Sequence, residues 1–483
     1  MSLRVKAIIG VSWSLADKLI NQLGYLAITV YLARLIGPES FGLIGMLTIF
    51  MLLTESVVNN GFSQALVQRS RQVTVEDENT IFYVNLSWGI VIYCLLYALA
   101  PLIADFYNES KLVEISRLLF LVVLINSLAV VVRAKLIINI DFRSQAIANS
   151  VSTLFSGVTG LYLAFLGYDY WSLVWMLLFR AALNTVGLWF FCRWRPSLIF
   201  SYKSFKKLFK FGSNLMAAGL VATFVNNLYV ALIGRYFNAT QVGYFTQATN
   251  LSNYLYQLIT STLMGVTYPI LTSVKDENER LKNIYHKLIS VTLLASMPIV
   301  IGFAAISKEF VLLFLGKDWE AAIPILTILC FARAITPLSA INMNILNAVG
   351  RSDLFLKVDL IKLPITLFGL FLALPYGVEG VAWAMFFTSF ISFFINAYFP
   401  GKFFGFGAFY QMKIAFNYTC ATLLMYLIVS HVSIFESLWL QLFIKVFIGL
   451  TSYPLILLLL RDSFFVNNFK LCWHELIKKT GKV

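Results

Sequence analysis

The sequence predicts an all-α, polytopic integral membrane protein with about fourteen transmembrane helices, because long apolar stretches follow one another along most of its length. At least seven stretches of 20 or more residues contain no Asp, Glu, Lys or Arg, and about 20 apolar residues span the hydrocarbon core of a bilayer as a helix. Of all residues, 59% are hydrophobic and 12% are charged. The stretches are too long, and alternate too little, for the strands of a membrane β-barrel.

The apolar stretches are joined by short loops, which leave no room for a soluble domain between them. The first span carries Asp17 and Lys18 and lacks a small-residue cleavage site, so we expect a retained helix and not a signal peptide. The predicted spans lie at roughly 8–32, 41–66, 80–104, 115–132, 142–166, 170–191, 211–234, 241–271, 286–306, 320–347, 354–374, 378–399, 413–431 and 437–460.

The basic charge is distributed unevenly between the two sides of the predicted membrane. With the N-terminus inside and the loops assigned alternately, 26 of the 37 Lys and Arg residues fall in cytoplasmic segments, against six outside. An excess of Lys and Arg marks the cytoplasmic side, so both termini are predicted to be cytoplasmic. The net charge of +14 is then explained mostly by the basic residues that set the membrane topology, with some contact to anionic membrane lipids. Nucleic acid is not an expected partner. The six outside are Arg34, Lys111, Arg117, Arg235, Lys308 and Lys317.

Catalytic and metal-binding motifs are not found in the sequence. The five cysteines and three histidines are scattered without metal-ligand spacing. There is no nucleophile elbow, Walker motif or phosphate-binding glycine loop. We therefore expect a protein that is not an enzyme, with no cofactor and no bound metal.

The chain repeats itself weakly. The motif Arg34–Gly42 after span 1 corresponds to Arg235–Gly243 after span 7, at an offset of 201, and Arg143-Ser144 corresponds to Arg351-Ser352 at an offset of 208. Because each copy has an even number of spans, six, both copies cross the membrane in the same direction. Parallel repeats of this kind occur in transporters, where the substrate site lies at the interface between the repeats. The predicted organisation is an N-lobe (1–192), a cytoplasmic amphipathic linker (193–210, with a flexible linker as the alternative), a C-lobe (211–400), and two extra spans with a cytoplasmic tail (401–483).

Polar side chains form stripes on four of the predicted spans. Spans 1, 2, 7 and 8 are equivalent pairs in the two copies, so the stripes suggest one hydrated cavity that binds substrate between the lobes. The alternative is that these amides are structural hydrogen bonds between helices, each worth about 1 kcal/mol or less. The candidate substrate-binding residues in the stripes are Asn21, Gln22, Asn59, Asn60, Asn226, Asn227, Gln247, Asn250, Tyr254 and Gln257.

Charged residues also lie well inside predicted spans. Lys18, Arg180 and Arg333 are candidates for binding an anionic ligand, since Arg suits phosphate oxygens; the alternative for Arg333 is satisfaction by carbonyls at a kink such as Pro337. Asp17 and Glu55 are candidate coupling residues, because burial and a nearby cation shift a carboxylate pKa in opposite directions. Glu55 is also a plausible ion-pair partner of Lys18. Asp359 and Lys362, three positions apart, are interpreted as a structural pair.

Short motifs at helix–loop junctions resemble those of the bacterial polysaccharide flippases. They are Ala33–Leu43, Phe314–Trp319 with Ala322 and Pro324 after it, Gly350-Arg-Ser, and Tyr376–Trp383. The chain is similar over its whole length to the Wzx-like polysaccharide transporter family of the MOP superfamily, in particular to colanic-acid-type exporters.

The resemblance implies two six-helix lobes plus two extra helices, and alternating access to a central cavity. It implies transport of undecaprenyl-diphosphate-linked oligosaccharide repeat units to the outer leaflet of the bacterial inner membrane, for O-antigen, lipopolysaccharide, capsule or exopolysaccharide biosynthesis. The implied partners are the lipid-linked oligosaccharide, membrane lipids, and a polysaccharide polymerase and glycosyltransferases as candidate proteins. Two alternatives stay open: a cation-coupled multidrug antiporter of the same superfamily, whose cavity should be acidic and aromatic, and a glycan polymerase, for which the external loops are short.

Overall fold

The computed structural model describes residues 3–59, 63, 66–67, 73–274, 277–349 and 351–467, and within these ranges it consists of helices and short connections without a strand. The helices are α1 Leu3–Asn59, α2 Val75–Tyr107, α3 Leu112–Leu119, α4 Leu121–Ser127, α5 Val130–Ile138, α6 Phe142–Phe165, α7 Asp169–Phe191, α8 Tyr202–Tyr236, α9 Ala239–Ser273, α10 Asn278–Ala305, α11 Ser307–Phe310, α12 Ala322–Ala334, α13 Thr336–Ala348, α14 Ser352–Ala373, α15 Gly377–Phe404, α16 Ala408–His431 and α17 Leu438–Leu459.

Helix α1 contains two predicted spans. Its 57 residues would be about 85 Å long as a straight helix, far more than a bilayer needs. The chain breaks at Gly37, whose φ of 72° is open to glycine but strained for other residues. Pro38 follows, and its ring is tolerated at the start of the next helix because no N–H is needed there. Gly37-Pro38 therefore separates span 1 from span 2.

Each of the other predicted spans coincides with one helix or with two or three consecutive helices. Span 4 is bent, since α3–α4 and α5 meet at 40° near Leu128. Within the described residues, eight stretches are long and apolar enough to cross a membrane, or nine with this bent pair. The all-α membrane fold is thus confirmed, and the count of fourteen spans stays a prediction. The pair Asp359–Lys362 is also confirmed, with Nζ 2.6 Å from Oδ1.

The predicted linker consists of two parts. Arg193–Phe200 has no helix, and Ser201 caps the N-terminus of α8 by accepting a hydrogen bond from the Ser204 N–H. Leu198 is 94% exposed, so this segment presents an apolar side chain outwards. A place for the linker on the membrane surface remains a prediction.

The chain forms two compact units, Met1–Thr246 and Gln247–Val483. In the first unit, the part of α1 before Gly37 runs alongside α6 in the same direction. Trp13 lies under Arg143, and Tyr31 lies against Phe165 with the ring centroids 6.2 Å apart. Between them, Gly157 lets Ile28 reach the backbone of α6. A parallel pair agrees with spans 1 and 5 entering the membrane from the same side.

The two copies of the repeated motif meet within the first unit. A Cβ on Gly42 would overlap the carbonyl oxygen of Ala239, and a Cβ on Gly243 would overlap the carbonyl oxygen of Pro38. At the offset of 201, Ala239 is the equivalent of Pro38 and Gly243 is the equivalent of Gly42. Gly42 of the first copy therefore contacts Ala239 of the second copy, and Gly243 of the second copy contacts Pro38 of the first. Two-fold symmetry produces reciprocal contacts of this kind. We call this contact the glycine seam.

The second unit has one large apolar core, formed mainly by α10, α13 and α16 together with Tyr453 and Leu457 of α17. Helix α17 is also held by a buried ion pair, in which Lys445 Nζ lies 2.8 Å from Glu309 Oε1 and the two side chains are 5% and 2% exposed. The extra span at the C-terminus is thus anchored by both packing and charge.

Candidate functional site

Four polar side chains form a continuous chain of hydrogen bonds across the first unit. The Asn149 amide donates to Asp17 Oδ2 at 3.1 Å, and the Asn184 amide donates to Asn149 Oδ1 at 2.5 Å. Arg133 Nη2 completes the chain by donating to Asn184 Oδ1 at 3.3 Å. These residues come from α1, α6, α7 and α5, so the chain joins four helices and has an anion at one end and a cation at the other. We call it the Asp17–Arg133 network.

Two further side chains branch from Asp17. Asn21, one turn along α1, donates to Asp17 Oδ1 at 2.5 Å. Thr153, one turn along α6 from Asn149, donates to Asn21 Oδ1 at 2.6 Å. Because α1 and α6 run in the same direction, residues four apart on each helix stay level with each other. The members of this network and its branch are all half-buried, except Thr153, which is buried.

Two further charged residues, Glu55 and Arg180, lie next to the network. Arg133 interacts electrostatically with Glu55, in the part of α1 after Gly37. Arg180, one turn before Asn184 on α7, lies over the ring of Tyr25 at 4.5 Å from its centroid, a cation–π contact that leaves the guanidinium charge in place. Within the described part of the first unit, two carboxylates and two guanidinium groups therefore lie on or beside one polar chain.

The network lies about two turns inside the ends of the helices that carry Asn149 and Asn184. Asn149 is seven residues after the start of α6 at Phe142, and Asn184 is seven residues before the end of α7 at Phe191. At 1.5 Å per residue, both are roughly 10 Å from those helix ends. The predicted topology puts those ends on the cytoplasmic side. Polar groups at such depth are costly unless they are paired or functional.

Sequence reasoning missed several members of this network. Asn149 and Thr153 repeat at i, i+4 in span 5, which is the same periodic signal that identified the stripe on span 1. Arg133 was predicted to be a cytoplasmic loop residue, just beyond span 4. The structure shows that helix α5 continues past Arg133 to Ile138, and the mostly apolar sequence up to Ile138 was the available signal for this.

The structure places the remaining predicted residues as follows. Gln22 is half-buried, and its Oε1 has no partner within the described residues. Asn227 donates to the Thr223 carbonyl of its own helix at 2.8 Å. Gln247 is buried, Tyr254 is half-buried, and Asn250 and Gln257 are exposed.

Arg333 lies half-buried near the end of α12, in the second unit, two residues before the break to α13. The side chains of Lys18, Asn59 and Asn226, and the whole of Asn60, lie outside the described residues. The pairing of Lys18 with Glu55 and the shared cavity between the lobes therefore stay predictions.

The second unit contains a polar network of a different kind, formed by Tyr285, Asn342 and Gln411. Tyr285 donates to Asn342 Oδ1, the Asn342 amide donates to Gln411 Oε1 at 3.1 Å, and the Gln411 amide returns to Asn342 Oδ1 at 2.8 Å. The Gln411 amide also donates to the Phe406 carbonyl at 2.7 Å. All three side chains are fully buried and neutral. We call this cluster the Gln411 ring.

Comparison with known proteins places the chain among polysaccharide biosynthesis proteins. A family described as polysaccharide biosynthesis protein matches residues 31–324. The lipopolysaccharide biosynthesis protein WzxC of Escherichia coli is 26% identical over 369 residues, covering 75% of this chain and 74% of WzxC. The teichuronic acid biosynthesis protein TuaB of Bacillus subtilis is 27% identical over 347 residues, covering 70% and 71%.

Solved structures show the same fold at low sequence identity. The lipid II flippase MurJ, in an inward closed conformation, superposes with a TM-score of 0.74 over 95% of this chain and 100% of its own, at 15% identity. An inward-facing MATE multidrug transporter of the MOP superfamily gives a TM-score of 0.61 over 83% and 98%, also at 15% identity. The predicted resemblance is thereby confirmed. Since the family match covers more than half of its length, the chain belongs to the family of polysaccharide biosynthesis proteins.

Proposed function

We propose that this protein is a flippase, and not an enzyme, that moves oligosaccharide repeat units linked to undecaprenyl diphosphate from the inner to the outer leaflet of the bacterial cytoplasmic membrane, by alternating access. The relatives support the glycan class, since one is named a lipopolysaccharide and one a teichuronic acid biosynthesis protein. A further relative, Agl15 of Haloferax volcanii, is named a probable glycan biosynthesis flippase. The sugar headgroups and diphosphate of such a substrate cannot cross hydrocarbon without polar partners.

The observation that carries the proposal is the Asp17–Arg133 network with Arg180 beside it. Amides and hydroxyls at this depth can replace water around sugar hydroxyls, and guanidinium groups suit the oxygens of a diphosphate. Arg180 carries its charge against an aromatic ring without a carboxylate contact among its described interactions. We propose that Arg180, with Lys18 and Arg333, holds the diphosphate, and that the polar stripes of spans 1, 2, 7 and 8 hold the sugars.

A cation-coupled multidrug antiporter is the second candidate, because MATE transporters share the fold. A cavity for cationic drugs should be acidic. In the first unit, Arg133 and Arg180 balance Asp17 and Glu55, so this cluster lacks the acidic excess that a cavity for cationic drugs requires.

The test is flipping by the purified protein in liposomes. The probe is a polyprenyl-diphosphate-linked oligosaccharide labelled on its sugar with a fluorophore that an external reductant quenches. The parent should expose the probe to the reductant, and Arg180→Ala and Arg333→Ala should reduce this by tenfold or more. Arg180→Lys should recover little, because the planar fork of the guanidinium is lost. Normal flipping by the double Arg180→Ala, Arg333→Ala variant would refute the assignment, and uptake of ethidium without flipping would favour the antiporter.

We further propose that Asp17 and Glu55 couple flipping to an ion gradient, because they are the carboxylates of the polar cluster in the first unit. An imposed proton or sodium gradient should accelerate flipping by the parent. Asp17→Asn and Glu55→Gln should keep a basal rate that no longer responds to the gradient. Equal flipping by the parent with and without a gradient would leave both carboxylates a structural role.

The orientation is part of the same proposal: both termini and the linker at 193–210 are cytoplasmic. Reporter fusions at Lys207 and Val483 should be active only inside the cell, and fusions at Lys111 and Lys317 only outside. An external signal at Lys207 would contradict the arrangement of two six-span lobes.

A further inference from the structure

The first unit contains a cavity of about 450 Å³ that is distant in sequence from the polar network. It lies where α2 ends and where α8 turns into α9, at the end of these helices that is predicted to be external. Its wall includes Tyr107, Asn108, Glu109, Arg235, Asn238 and Gln241. Cavities that bind small molecules begin at about 300 Å³. We call this cavity the α8–α9 pocket.

Tyr107 is fixed in the wall of the pocket by close packing. The residue is 4% exposed, and its ring makes edge contacts with Phe50 and Phe106. Gly234 gives the ring its space, since a Cβ on Gly234 would lie 2.7 Å from Tyr107 Cε1. Yet the Tyr107 hydroxyl is buried without a hydrogen-bond partner among the described residues. An orphaned buried hydroxyl is unfavourable, and a small shift of the ring towards the pocket would let a bound ligand satisfy it.

Two polar side chains at the rim of the pocket, Arg235 and Asn238, are held in place by hydrogen bonds to backbone groups. Arg235 lies over the ring of Phe106 and donates to the Phe106 carbonyl at 2.8 Å, which fixes the guanidinium group at the rim. Asn238 caps α9 by accepting from the Gln241 N–H at 2.9 Å. Tyr236 is 60% exposed and presents a large aromatic side chain beside these polar groups.

The chemistry of the pocket fits an uncharged polyhydroxylated ligand. One guanidinium group and the carboxylate of Glu109 balance each other, so the pocket does not select for a phosphate. Amides, a phenol and a guanidinium group offer both donors and acceptors to hydroxyls, and an exposed aromatic ring offers an apolar surface to the C–H groups of a sugar.

We propose that the α8–α9 pocket binds one or two sugar rings of the translocated glycan on the external side, as a separate site from the membrane-embedded diphosphate site. This inference rests on the proposed flippase function. The site would hold the headgroup after it has crossed the membrane and before an enzyme of the external leaflet consumes it.

The experiment measures binding of the free oligosaccharide to the full-length protein in detergent. The probe is the repeat unit of the host's own polysaccharide, released from its lipid diphosphate, and binding is followed by saturation-transfer NMR and calorimetry. Tyr107→Phe should weaken binding by about three- to tenfold, the effect of one hydrogen bond, and Arg235→Gln should weaken it at least as much. Tyr93→Phe is the matched control, because Tyr93 lies on α2 outside the pocket and donates to the Arg117 carbonyl.

Tyr107→Phe removes a hydroxyl that has no partner within the described structure, so it should not lower the thermal midpoint, and a loss of binding is then not a loss of fold. Equal affinity of Tyr107→Phe and the parent would overturn the proposal, as would a parent that does not bind the released oligosaccharide. If that parent still flips the lipid-linked probe, only the pocket is refuted. If it neither flips nor binds, the flippase function fails as well.

Discussion

The Asp17–Arg133 network and the Gln411 ring both join helices through amides, yet they differ in charge and in closure. The Gln411 ring is fully buried and neutral, and its donors return to its own members and to a backbone carbonyl. The Asp17–Arg133 network is half-buried and ends in opposite charges. Gln22, beside Asn21 on α1, leaves its Oε1 without a partner within the described residues.

We expect this difference to separate a structural role from a functional one. A closed polar network fixes one arrangement of its helices, because every alternative leaves a buried group unsatisfied. An open and charged network retains capacity for a ligand. The ion pair Glu309–Lys445 is a third case, because it is charged but deeply buried. Variants of this pair test whether charge alone marks a functional site.

The largest expected effect on stability comes from breaking that ion pair. Lys445→Met should lower the free energy of unfolding by about 3–5 kcal/mol, because Glu309 is left charged and buried. The double variant Lys445→Met, Glu309→Gln should recover most of this loss. Unfolding in detergent titrated with a denaturing surfactant measures it. Flipping per folded molecule should stay at the parent level, and a defect in the stable double variant would mean that the pair takes part in transport.

The next effect concerns the cationic end of the open network. Arg133→Ala removes the cation near Glu55 and the donor to Asn184, so flipping should fall by about 100-fold, equivalent to roughly 2.7 kcal/mol. The control is Lys135→Ala on the same helix, whose Nζ pairs with Glu78 at 2.6 Å outside the network. Rates are compared per mole of reconstituted protein. Similar rates for the two variants would show that Arg133 has no special role.

The smallest effect belongs to the closed ring. Gln411→Leu leaves the buried amide of Asn342 without its acceptor and should cost about 1–3 kcal/mol of stability. The same unfolding titration measures it, and flipping per folded molecule should not change. A flipping defect larger than the loss of folded protein would place the ring in the transport mechanism, and the proposed contrast between the two networks would fail.

The sequence predicted the parts of the site that depend on periodicity along one helix. Asp17 and Asn21 were found as one stripe, and the break between spans 1 and 2 follows from Gly37-Pro38. Arg133 was not identified as a member of the site, because its position depends on the bend between α4 and α5. This bend leaves no signal in the sequence, since no proline marks it and the apolar stretch continues through it. Asn342 and Gln411 lie 69 positions apart, and no pattern along the chain indicates that two such residues meet.

The α8–α9 pocket was also beyond sequence reasoning, for a related reason. Its wall combines the end of α2 with the turn between α8 and α9, and it depends on Gly234 accepting the ring of Tyr107. Arg235 was noted only as an external charge and as part of a repeated motif. Whether the end of a loop lines a pocket depends on how the helices pack, and neither the composition nor the hydrophobic periodicity of the sequence specifies that packing.

The glycine seam has a consequence for how this protein can vary and move. Since the contact is reciprocal, a methyl group added at Gly42 disturbs the second copy of the motif, and one added at Gly243 disturbs the first. Substitutions at the two positions should therefore have similar effects. The seam also brings backbone against backbone. A contact of this kind has few side-chain rotamers to immobilise when it forms, so separating and re-forming it would carry a small entropic penalty.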